Sequence, residues 1–461
     1  MTRDGAIASN FEGYAILRGF GNLTSENLFV IPSEARNLGF GQQAPRFLAS
    51  LGMTGILHAR HCFLDMRAFT LHDIGCFCFH LKKENMKLIL LMLTFLAIHA
   101  NAVVDATPGS PMRVGIVGLV HGHVEGFLKG GGLTPAGGIL NRPDVQLVGI
   151  VEPDQKLFDS YAQRYRLSAS LHFRSIQEMV SQAHPRAVLV FTAPSEHRRV
   201  IEECAALGVH VMVEKPLTIS YKDALAIQDA AQRGKIHVLV NLETSWYASN
   251  TAAFRLLKQG ALGSMVKTVF RDGHPGPKLI GVSPEFLSFL IDPKQNGAGA
   301  LFDFGCYGPN LMTWLMDGET PLSVTAVTKQ LQPNLYPEVD DEAEIILNYK
   351  SAVAIVQASW NWPFALKQMD VYGRTGYAKA VDSERIEVRK ANESEGQMLK
   401  GESLTAPYDD PLHYMTAVLN GEIQEGNSLS SLKTNIAVSE ILDAARQSAQ
   451  TGKTVGLPLP K

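Results

Sequence analysis

From Met112 onward the chain alternates short apolar runs of strand length with stretches of helical periodicity. The apolar runs lie at 112–118, 145–151, 187–192, 209–213 and 236–240, and the helical stretches lie near 154–166, 196–207 and 220–233. Parallel strands must be joined by long return connections, and strands buried on both faces are apolar along their whole length. The alternation therefore predicts an α/β fold with a doubly wound parallel sheet over residues 111–240.

A different pattern begins after Asn241. A helix near 246–259 leads into strands of alternating polarity, at 264–273, 321–329, 341–348, 351–359, 367–372 and 376–380. Such alternation is typical of a sheet with one covered face. We expect residues 241–461 to form an α+β domain with an open, largely antiparallel sheet, and the final helices, near 410–421 and 430–449, to return to the first domain.

The composition fits two domains around a sizeable core. The chain has 461 residues, of which 46% are hydrophobic and 19% are charged. Its net charge of −3 gives no general attraction to nucleic acid, so no nucleic-acid partner is expected. The spacing of its five cysteines matches neither a zinc site nor a disulfide framework.

A signal-peptide-like segment occupies residues 86–110. One lysine is followed by an apolar run from Leu88 to Ile98 and by the small-residue pattern Ala100-Asn101-Ala102. Together these are the layout of a secretory signal peptide. The run is too short for a stable membrane span, which needs about 20 apolar residues. A buried helix of the domain is the alternative.

The residues before this segment look unlike a domain. Residues 1–85 show no sustained periodicity, and the stretch 30–55 resembles the translation of a bacterial intergenic repeat. We hypothesise that synthesis starts at Met86, that residues 1–85 are a poorly ordered, non-native extension, and that the protein is exported to the periplasm. With an earlier start we expect it in the cytoplasm. Peptides of the natural protein that map to residues 1–85 would contradict this hypothesis.

The first apolar run ends in a glycine turn. Gly118 lies where the strand passes into a helix, and a glycine there lets a pyrophosphate approach the helix N-terminus. The usual G-x-G-x-x-G spacing is incomplete, because Val120 and His123 occupy its second and third positions. Glu152 ends the second run, where a carboxylate can accept both ribose hydroxyls, which favours NAD over NADP. An ordinary solvent-facing acid is the alternative for Glu152.

Two histidines, His121 and His123, follow the glycine turn. Histidines at this spacing raise the possibility of a metal site, but two histidines rarely suffice without an acidic or thiol partner, and we identify none for them. We therefore expect loop residues that line the cofactor entrance, and no metal.

Further motifs follow in order along the chain. They are Thr192-Ala193-Pro194-Ser195-Glu196-His197, Glu214-Lys215-Pro216, and the glycine-rich run 297–307, which contains Asp303 and Tyr307. With the glycine turn, they make the chain from about Met112 to the C-terminus resemble the Gfo/Idh/MocA family of NAD(P)-dependent oxidoreductases. The resemblance implies a nicotinamide cofactor at the carboxyl ends of the parallel strands, and a second sheet that often forms a dimer interface, so we expect a homo-oligomer. The residues expected to contact the cofactor are Gly118, His123, Glu152, Thr192, Pro194, His197 and Glu214.

The resemblance also marks three catalytic candidates. Lys215 is expected to polarise or protonate a substrate oxygen, with its pKa lowered toward working pH by burial, and Pro216 is expected to be cis. Asp303 and Tyr307 are four residues apart and would share one helix face. The family commonly has histidine at the second of these positions, and a tyrosine there can act as a base once a lysine lowers its pKa. A salt-bridged Lys215 and a half-buried aromatic Tyr307 are the alternatives.

Other polar and aromatic residues suggest a sugar-like substrate. Glu243, Trp246 and Trp360 are the candidate substrate contacts, because tryptophan rings stack on sugar rings. Packing in the core or in a dimer interface is an equal alternative for each tryptophan.

The sequence thus predicts an oxidoreductase that moves hydride between NAD and a hydroxyl carbon of a carbohydrate or polyol. Lys215 and Tyr307 would handle the proton, and Asp303 would position them. Two alternatives remain: a glycoside hydrolase that works by transient oxidation and recycles bound NAD, and a non-catalytic sugar-binding protein. Release of sugar without net NADH would identify the first, and failure to bind NAD⁺ would identify the second.

Overall fold

The computed structural model describes residues 14–16, 30–32 and 110–460. In the unit Met1–Asp105, the three-residue strands β1 (Tyr14–Ile16) and β2 (Val30–Pro32) pair antiparallel. The rest of the proposed extension and residues 86–109, which carry the signal-peptide prediction, lie outside the described residues. Within the described part of the chain, no helix is long and apolar enough to cross a membrane.

The unit Ala106–Lys461 begins with a six-stranded sheet in which every neighbouring pair of strands is parallel. Its strands, in spatial order, are β5 (His172–Phe173), β4 (Val145–Val151), β3 (Met112–Val117), β6 (Ala187–Val190), β7 (His210–Glu214) and β8 (Val238–Asn241). The order reverses between β3 and β6, which is the switch point where doubly wound sheets bind ligands. The predicted parallel sheet is confirmed, and the two-residue β5 adds an edge strand too short to show as an apolar run.

Helices connect these strands and cover the sheet. They are α1 (His123–Lys129), α2 (Gln155–Tyr165), α3 (Ile176–Ala183), α4 (His197–Ala206) and α5 (Tyr221–Gly234). Side-chain caps define several of their first residues: Asp154 accepts the N–H groups of Lys156 and Leu157, and Ser220 accepts that of Asp223. Such caps satisfy backbone donors that have no partner inside the helix.

The second sheet has nine strands and only one parallel pair, β9–β12. In spatial order the strands are β16 (Gln397–Lys400), β15 (Arg385–Lys390), β14 (Gly376–Ala380), β13 (Leu366–Gly373), β9 (Met265–Gly273), β12 (Val353–Ser359), β11 (Glu342–Asn348), β10 (Ser323–Lys329) and β17 (Val455–Gly456). In β11, Ala343, Ile345 and Leu347 are buried while Glu344 and Ile346 face outward. The predicted open, largely antiparallel sheet is confirmed.

Seven helices accompany this sheet among the described residues. They are α6 (Ala248–Lys258), α7 (Pro284–Leu290), α8 (Pro293–Asn296), α9 (Ala300–Asp303), α10 (Tyr307–Leu315), α11 (Pro411–Leu419) and α12 (Leu432–Thr451). The last two also pack against the parallel-sheet domain. Leu412 and Met415 of α11 share a core cluster with Ile116 of β3, and α12 contacts both α5 and β8.

Candidate functional site

The turn after β3 is built closely around Gly118. Its φ of +82° lies in the left-handed region, and a Cβ at this position would stand 2.6 Å from Cγ2 of Thr192. Only glycine fits such a position. Oγ1 of Thr192 is buried and has no hydrogen-bond partner, and the buried Pro194 follows two residues later. The turn therefore offers an unpaired hydroxyl and a close backbone approach at the switch point of the sheet.

Glu152 lies beside this turn at the end of β4. Its side chain is 4% exposed, and its carboxylate accepts the N–H groups of Leu119 (2.8 Å) and Asp154 (2.9 Å). Burial raises the pKa of Glu152, and the two backbone donors oppose that shift. Glu152 is thus a buried acid attached to the glycine turn, and the alternative of a solvent-facing loop acid does not describe it.

His197 connects two loops through contacts with their backbone carbonyls and does not line the cofactor space. It is fully buried: Nδ1 lies 3.2 Å from the carbonyl oxygen of Pro216 and 3.1 Å from that of Leu217, and Nε2 lies 3.3 Å from that of Thr192. Burial lowers its pKa. Because both ring nitrogens face backbone carbonyls, His197 presents no free ring atom to a cofactor. The expected direct contact is corrected to an indirect one through the loops that it joins.

Helix α7 covers the start of α1. The ring of Phe286 packs so closely on Gly122 that a Cβ there would stand 2.8 Å from Cδ1 of the ring. The same ring lies 4.4 Å from the His121 ring, centroid to centroid. Val120, in place of the second glycine, is only half-buried. Phe286 therefore covers His121 and Gly122, which follow the glycine turn.

Lys215 follows β7 and forms a buried ion pair with Asp303. Its Nζ is 2.5 Å from Oδ1 and 3.0 Å from the carbonyl oxygen of Asp303, and the Lys215–Pro216 peptide is cis, as the resemblance implied. Burial opposes the ammonium form, but the Asp303 carboxylate outweighs it, so the pKa of Lys215 is raised. The expectation that burial lowers this pKa is wrong, because the neighbouring charge dominates.

Asp303 is held from its other side by Trp360. The indole Nε1 donates to Oδ2 of Asp303 at 2.9 Å, and the Trp360 ring is fully buried against Tyr336. Burial acts to raise the pKa of Asp303, but the charges of Lys215 and His274 and the hydrogen bonds from Lys215 and Trp360 together lower it. A ring without an exposed face cannot stack on a sugar, so the structure places Trp360 behind Asp303 instead of in the substrate space.

The predicted continuous helix through Asp303 and Tyr307 is interrupted. Helix α9 ends at Asp303 and α10 begins at Tyr307, with a turn between them. The carbonyl oxygen of Asp303 contacts Nζ of Lys215 and the thiol of Cys306, while the N–H of Tyr307 donates to the carbonyl of Phe304. The i to i+4 hydrogen bond that would continue the helix is therefore replaced.

Tyr307 lies between two lysines. Nζ of Lys215 and Nζ of Lys367 are each 5.4 Å from the centroid of its ring. Even so, burial raises the pKa of Tyr307 well above its ordinary value, and the negative charge of Glu243 adds to this. The expectation of a lowered tyrosine pKa is wrong, because burial and acids outweigh the lysines. Tyr307 is a protonated phenol that can donate a hydrogen bond.

Lys367 is a site residue that the sequence did not indicate. On β13 it is one polar residue in an alternating strand, and its Nζ lies 2.6 Å from Oε2 of Glu243. Oε1 of Glu243 accepts the hydroxyl of Tyr247 at 2.6 Å. Asp272, opposite Lys367 in the sheet, is buried with neither carboxylate oxygen hydrogen-bonded, and burial raises its pKa well above normal.

His274 also approaches the site from the end of β9 without having been predicted. Its Nδ1 accepts the N–H of Gly276 at 2.8 Å, which leaves Nε2 to carry the proton of the neutral ring. The ring lies 4.7 Å from that of Phe304, and burial lowers the pKa of His274. The Asp303 carboxylate opposes this lowering of the His274 pKa, and the Lys215 ammonium adds to it. No spacing in the sequence linked this position to the glycine-rich run.

Glu243 and Trp246 line a cavity of 490 Å³. Tyr247, Lys400 and Asp409 contribute to the same cavity. Glu243 therefore contacts both this cavity and Lys367, next to Tyr307. Trp246 is nearly buried, and its Nε1 donates to the side chain of Asn241 at 3.0 Å. Two of the three predicted substrate residues thus share one polar cavity, whose lining does not include Lys215, Asp303 or Tyr307.

A hydrogen-bond chain links this cavity to the glycine turn. Asn241 donates to Oε1 of Glu214 at 2.7 Å, and Oε2 of Glu214 lies 3.0 Å from Nδ1 of His123. His121, His123 and Glu214 each have a potential metal-ligand atom, and these atoms lie within 4.8 Å of one another. The prediction of no metal assumed that no acid lies near the two histidines. The fold supplies Glu214.

Comparison with known proteins agrees with this geometry. Residues 112–242 match the family model described as an oxidoreductase family with an NAD-binding Rossmann fold, and residues 250–379 match the GFO/IDH/MocA C-terminal domain. A trans-1,2-dihydrobenzene-1,2-diol dehydrogenase of Xenopus laevis is 26% identical over 45% of the chain and 58% of that relative. A D-apiose dehydrogenase of Rhizobium rhizogenes is 24% identical over 58% of the chain and 78% of that relative. The chain thus spans less than two thirds of the length of the first of these relatives.

Solved structures share the fold at low identity. An aldose-aldose oxidoreductase from Caulobacter crescentus, complexed with glycerol, has a TM-score of 0.62 at 20% identity and covers 75% of this chain and 100% of its own. An inositol dehydrogenase homologue from Azotobacter vinelandii, complexed with NAD⁺, has a TM-score of 0.63 at 16% identity and covers 76% of this chain and 98% of its own.

The residues at the strand ends fit the cofactor of the matched family. Gly118 permits close approach, Thr192 has an unpaired hydroxyl, and Glu152 and Lys215 stand at the ends of β4 and β7. These residues would hold NAD at the switch point, with its reactive ring toward Lys215. Both family models together cover most of the chain from Met112 to Lys379, and the parallel sheet has the matching strand order. The chain therefore belongs to the Gfo/Idh/MocA family of NAD(P)-dependent oxidoreductases.

Proposed function

We propose that this oxidoreductase acts on a hydroxyl carbon of a carbohydrate or polyol, with Lys215, Asp303 and Tyr307 around the reacting oxygen. The buried Lys215–Asp303 pair carries the proposal. It holds an ammonium group at the carboxyl end of β7, 5.4 Å from the centroid of the Tyr307 ring. When bound, NAD supplies the acceptor or donor of hydride.

The residues around that oxygen have separate tasks. The Lys215 ammonium stabilises negative charge on the substrate oxygen and can donate a proton to it when a carbonyl is reduced. Asp303 keeps Lys215 charged and oriented, and Trp360 keeps Asp303 in place. Tyr307, a phenol with a raised pKa, can donate a second hydrogen bond to the same oxygen. In the oxidation direction, Lys215 must first lose its proton.

Turnover with a panel of sugars and polyols tests the proposal. We expect some member of the panel to reduce NAD⁺, and Lys215→Ala to lower kcat by at least about 100-fold, the usual contribution of one proton-transferring group. Lys222→Ala is the matched control, because Lys222 is an exposed lysine on α5. Full turnover by Lys215→Ala would exclude this role for Lys215.

A second candidate function is glycoside hydrolysis by transient oxidation, in which bound NAD is reduced and reoxidised within one cycle. Phe286 covers His121 and Gly122, which follow the glycine turn. This arrangement favours the hydrolase, because a cofactor shielded from solvent would be retained between cycles. Release of free sugar from a glycoside, with no net NADH, would identify this activity. A purely sugar-binding protein would show neither reaction, and the intact Lys215–Asp303 pair argues against that alternative.

A further inference from the structure

His121, His123 and Glu214 form a compact group at the strand ends. His121 lies in the turn after β3, His123 opens α1, and Glu214 ends β7. Their potential ligand atoms lie within 4.8 Å of one another, and Nδ1 of His123 is already 3.0 Å from Oε2 of Glu214. His121 and Glu214 are each 2% exposed, while the side chain of His123 is 23% exposed. Two of the three side chains are therefore buried, and that of His123 is partly exposed.

The side chains of the group are held in place by their neighbours. Nδ1 of His121 accepts the backbone N–H of His123 at 3.2 Å, and its ring packs against Phe286. Oε1 of Glu214 accepts the amide of Asn241, so Oε2 alone faces the histidines. The hydrogen bond from Asn241 is of the kind that orients a ligating carboxylate, whereas a metal bound to Nδ1 of His121 would replace the contact with the His123 N–H.

We propose that His121, His123 and Glu214 bind a divalent transition-metal ion of the zinc type, with one coordination position open toward the exposed side of His123. Two imidazoles and one carboxylate form an established donor set for zinc sites that keep an open position. Tetrahedral coordination with bonds of about 2.1 Å places donor atoms about 3.4 Å apart, so small rotations of the side chains bring this group into range. Nitrogen donors favour zinc over magnesium or calcium.

Charge balance is compatible with such an ion. The Lys215 ammonium opposes positive charge at His121, but Asp303 compensates the charge of Lys215. Binding would replace the contact between Nδ1 of His123 and Oε2 of Glu214 with two bonds to the metal ion. The carboxylate of Glu214 then compensates part of the metal charge. The alternative is that the His123–Glu214 contact is a hydrogen bond and nothing more.

Metal titration of the full chain decides between these alternatives. After removal of metals with a chelator, ZnCl₂ is titrated by calorimetry, and the zinc that survives desalting is measured by mass spectrometry. We expect one ion per chain. Cobalt(II) should give the intense visible bands of a tetrahedral nitrogen–oxygen site, a signature that an ion on the surface does not give.

Two variants and one matched control locate the ion. His123→Ala and Glu214→Gln should each weaken zinc binding by at least about 10-fold, the smallest effect expected for a group that supports a metal. Glu214→Gln keeps the shape of the side chain and can still accept from Asn241, so it serves if His123→Ala fails to fold, which circular dichroism would show. His237→Ala is the control, because His237 also pairs with a glutamate, Glu425, beside a second histidine, His210.

The outcomes are distinct. Absence of retained zinc, unchanged affinity in both site variants, or an equal loss in His237→Ala would each overturn the proposal. The titration contains neither NAD nor sugar, so a failure to find oxidoreductase turnover leaves the metal result unaffected. A loss of zinc binding in the variants likewise does not depend on the substrate that the enzyme uses.

Discussion

The Lys215–Asp303 pair shows how single residues define this site. Both side chains are almost buried, so neither charge would be stable alone. Their contact keeps the lysine protonated and the aspartate ionised, with both pKa values shifted by the partner. A proton donor at the end of β7 is thereby preserved at neutral and alkaline pH. For the same reason, a residue that holds Asp303 in place, such as Trp360, should matter for activity.

Trp360→Phe tests one of those residues. The substitution keeps the buried ring and removes the N–H that donates to Asp303, a hydrogen bond to a charged group that contributes about 1.5–3 kcal/mol. We expect kcat/KM to fall by roughly 10- to 100-fold, with a free energy of unfolding lowered by a similar amount. Trp362→Phe, at a half-buried tryptophan nearby, should change kcat/KM little. Equal kinetics for the two variants would show that the indole N–H has no role.

The raised pKa of Asp272 predicts that the stability of the protein depends on pH. Burial raises its pKa above the ordinary value of 3.8, Glu243 adds to this, and Lys367 opposes it. A group with a raised pKa stabilises the fold below its unfolded pKa, and this contribution is lost as the pH rises through the folded value. The wild type should therefore lose stability as the pH rises above about 4, and Asp272→Asn should remove that part of the loss.

Thermal unfolding across this pH range measures the effect. The control is Asp370→Asn on the neighbouring strand β13, because Asp370 is paired with Arg271 at 3.1 Å. We expect Asp370→Asn to retain the wild-type slope of Tm against pH. A parallel slope for Asp272→Asn would mean that Asp272 is ionised in the folded protein.

At the scale of elements, α7 is placed to control access to the cofactor. The Phe286 ring packs on Gly122 and His121, and the substitution Phe286→Ala removes this contact. Phe286 is half-buried, so loss of its ring costs at most roughly 1.5–3 kcal/mol of the closed state. We therefore expect Phe286→Ala to speed the dissociation of NADH by about 10- to 100-fold, as measured by stopped-flow fluorescence.

Phe364→Ala provides the comparison, since Phe364 is 58% exposed. Its dissociation rate should equal that of the wild type. If Phe286→Ala also releases NADH at the wild-type rate, α7 does not limit cofactor exchange, and the argument for a retained cofactor is removed.

For the whole molecule, a buried ion pair joins the first domain to the C-terminal helices. Arg142 donates to Asp410 at 2.8 Å, and Asp410 also caps α11 by accepting the N–H of Leu412. Asp410→Asn can keep the cap but leaves the Arg142 charge without its buried partner. Breaking such a pair costs roughly 3–5 kcal/mol, so denaturant unfolding should show a loss of that order.

The second partner of Arg142 supplies the control for this prediction. Asp144 bonds the same guanidinium, but its side chain is 39% exposed. Asp144→Asn should therefore cost less than about 1 kcal/mol. Similar losses for the two variants would show that burial does not strengthen the Asp410 contact.

Two predictions about the whole molecule remain open to experiment. The outer face of the second sheet exposes Val327 and Ile346, as an interface between copies of the chain would require, so homo-oligomerisation remains a prediction. Light scattering would measure it. Export from a start at Met86 likewise remains a prediction.

Local sequence was sufficient for the architecture. Continuous apolar runs identified the main strands of the parallel sheet, and alternating polarity identified six strands of the second, because burial on two faces and on one face leave different patterns. Gly118 and Lys215 follow β3 and β7 directly, whereas Asp303 lies at the end of helix α9. Four strands of these two sheets were not predicted: β5 and β17 have only two residues each, β16 is exposed at all four positions, and β15 was missed with it.

The tertiary structure alone decided the chemical state of the site. Sequence spacing placed Asp303 and Tyr307 on one helix, but the Lys215 ammonium takes the carbonyl that would have continued that helix. Tyr307 was expected to act as a base, whereas burial keeps the proton on its phenol. Lys367 and His274 reached the site from β13 and from the end of β9, which are distant in the sequence. Charge, burial and long-range contact depend on which strand ends meet, and local residue patterns do not contain that information.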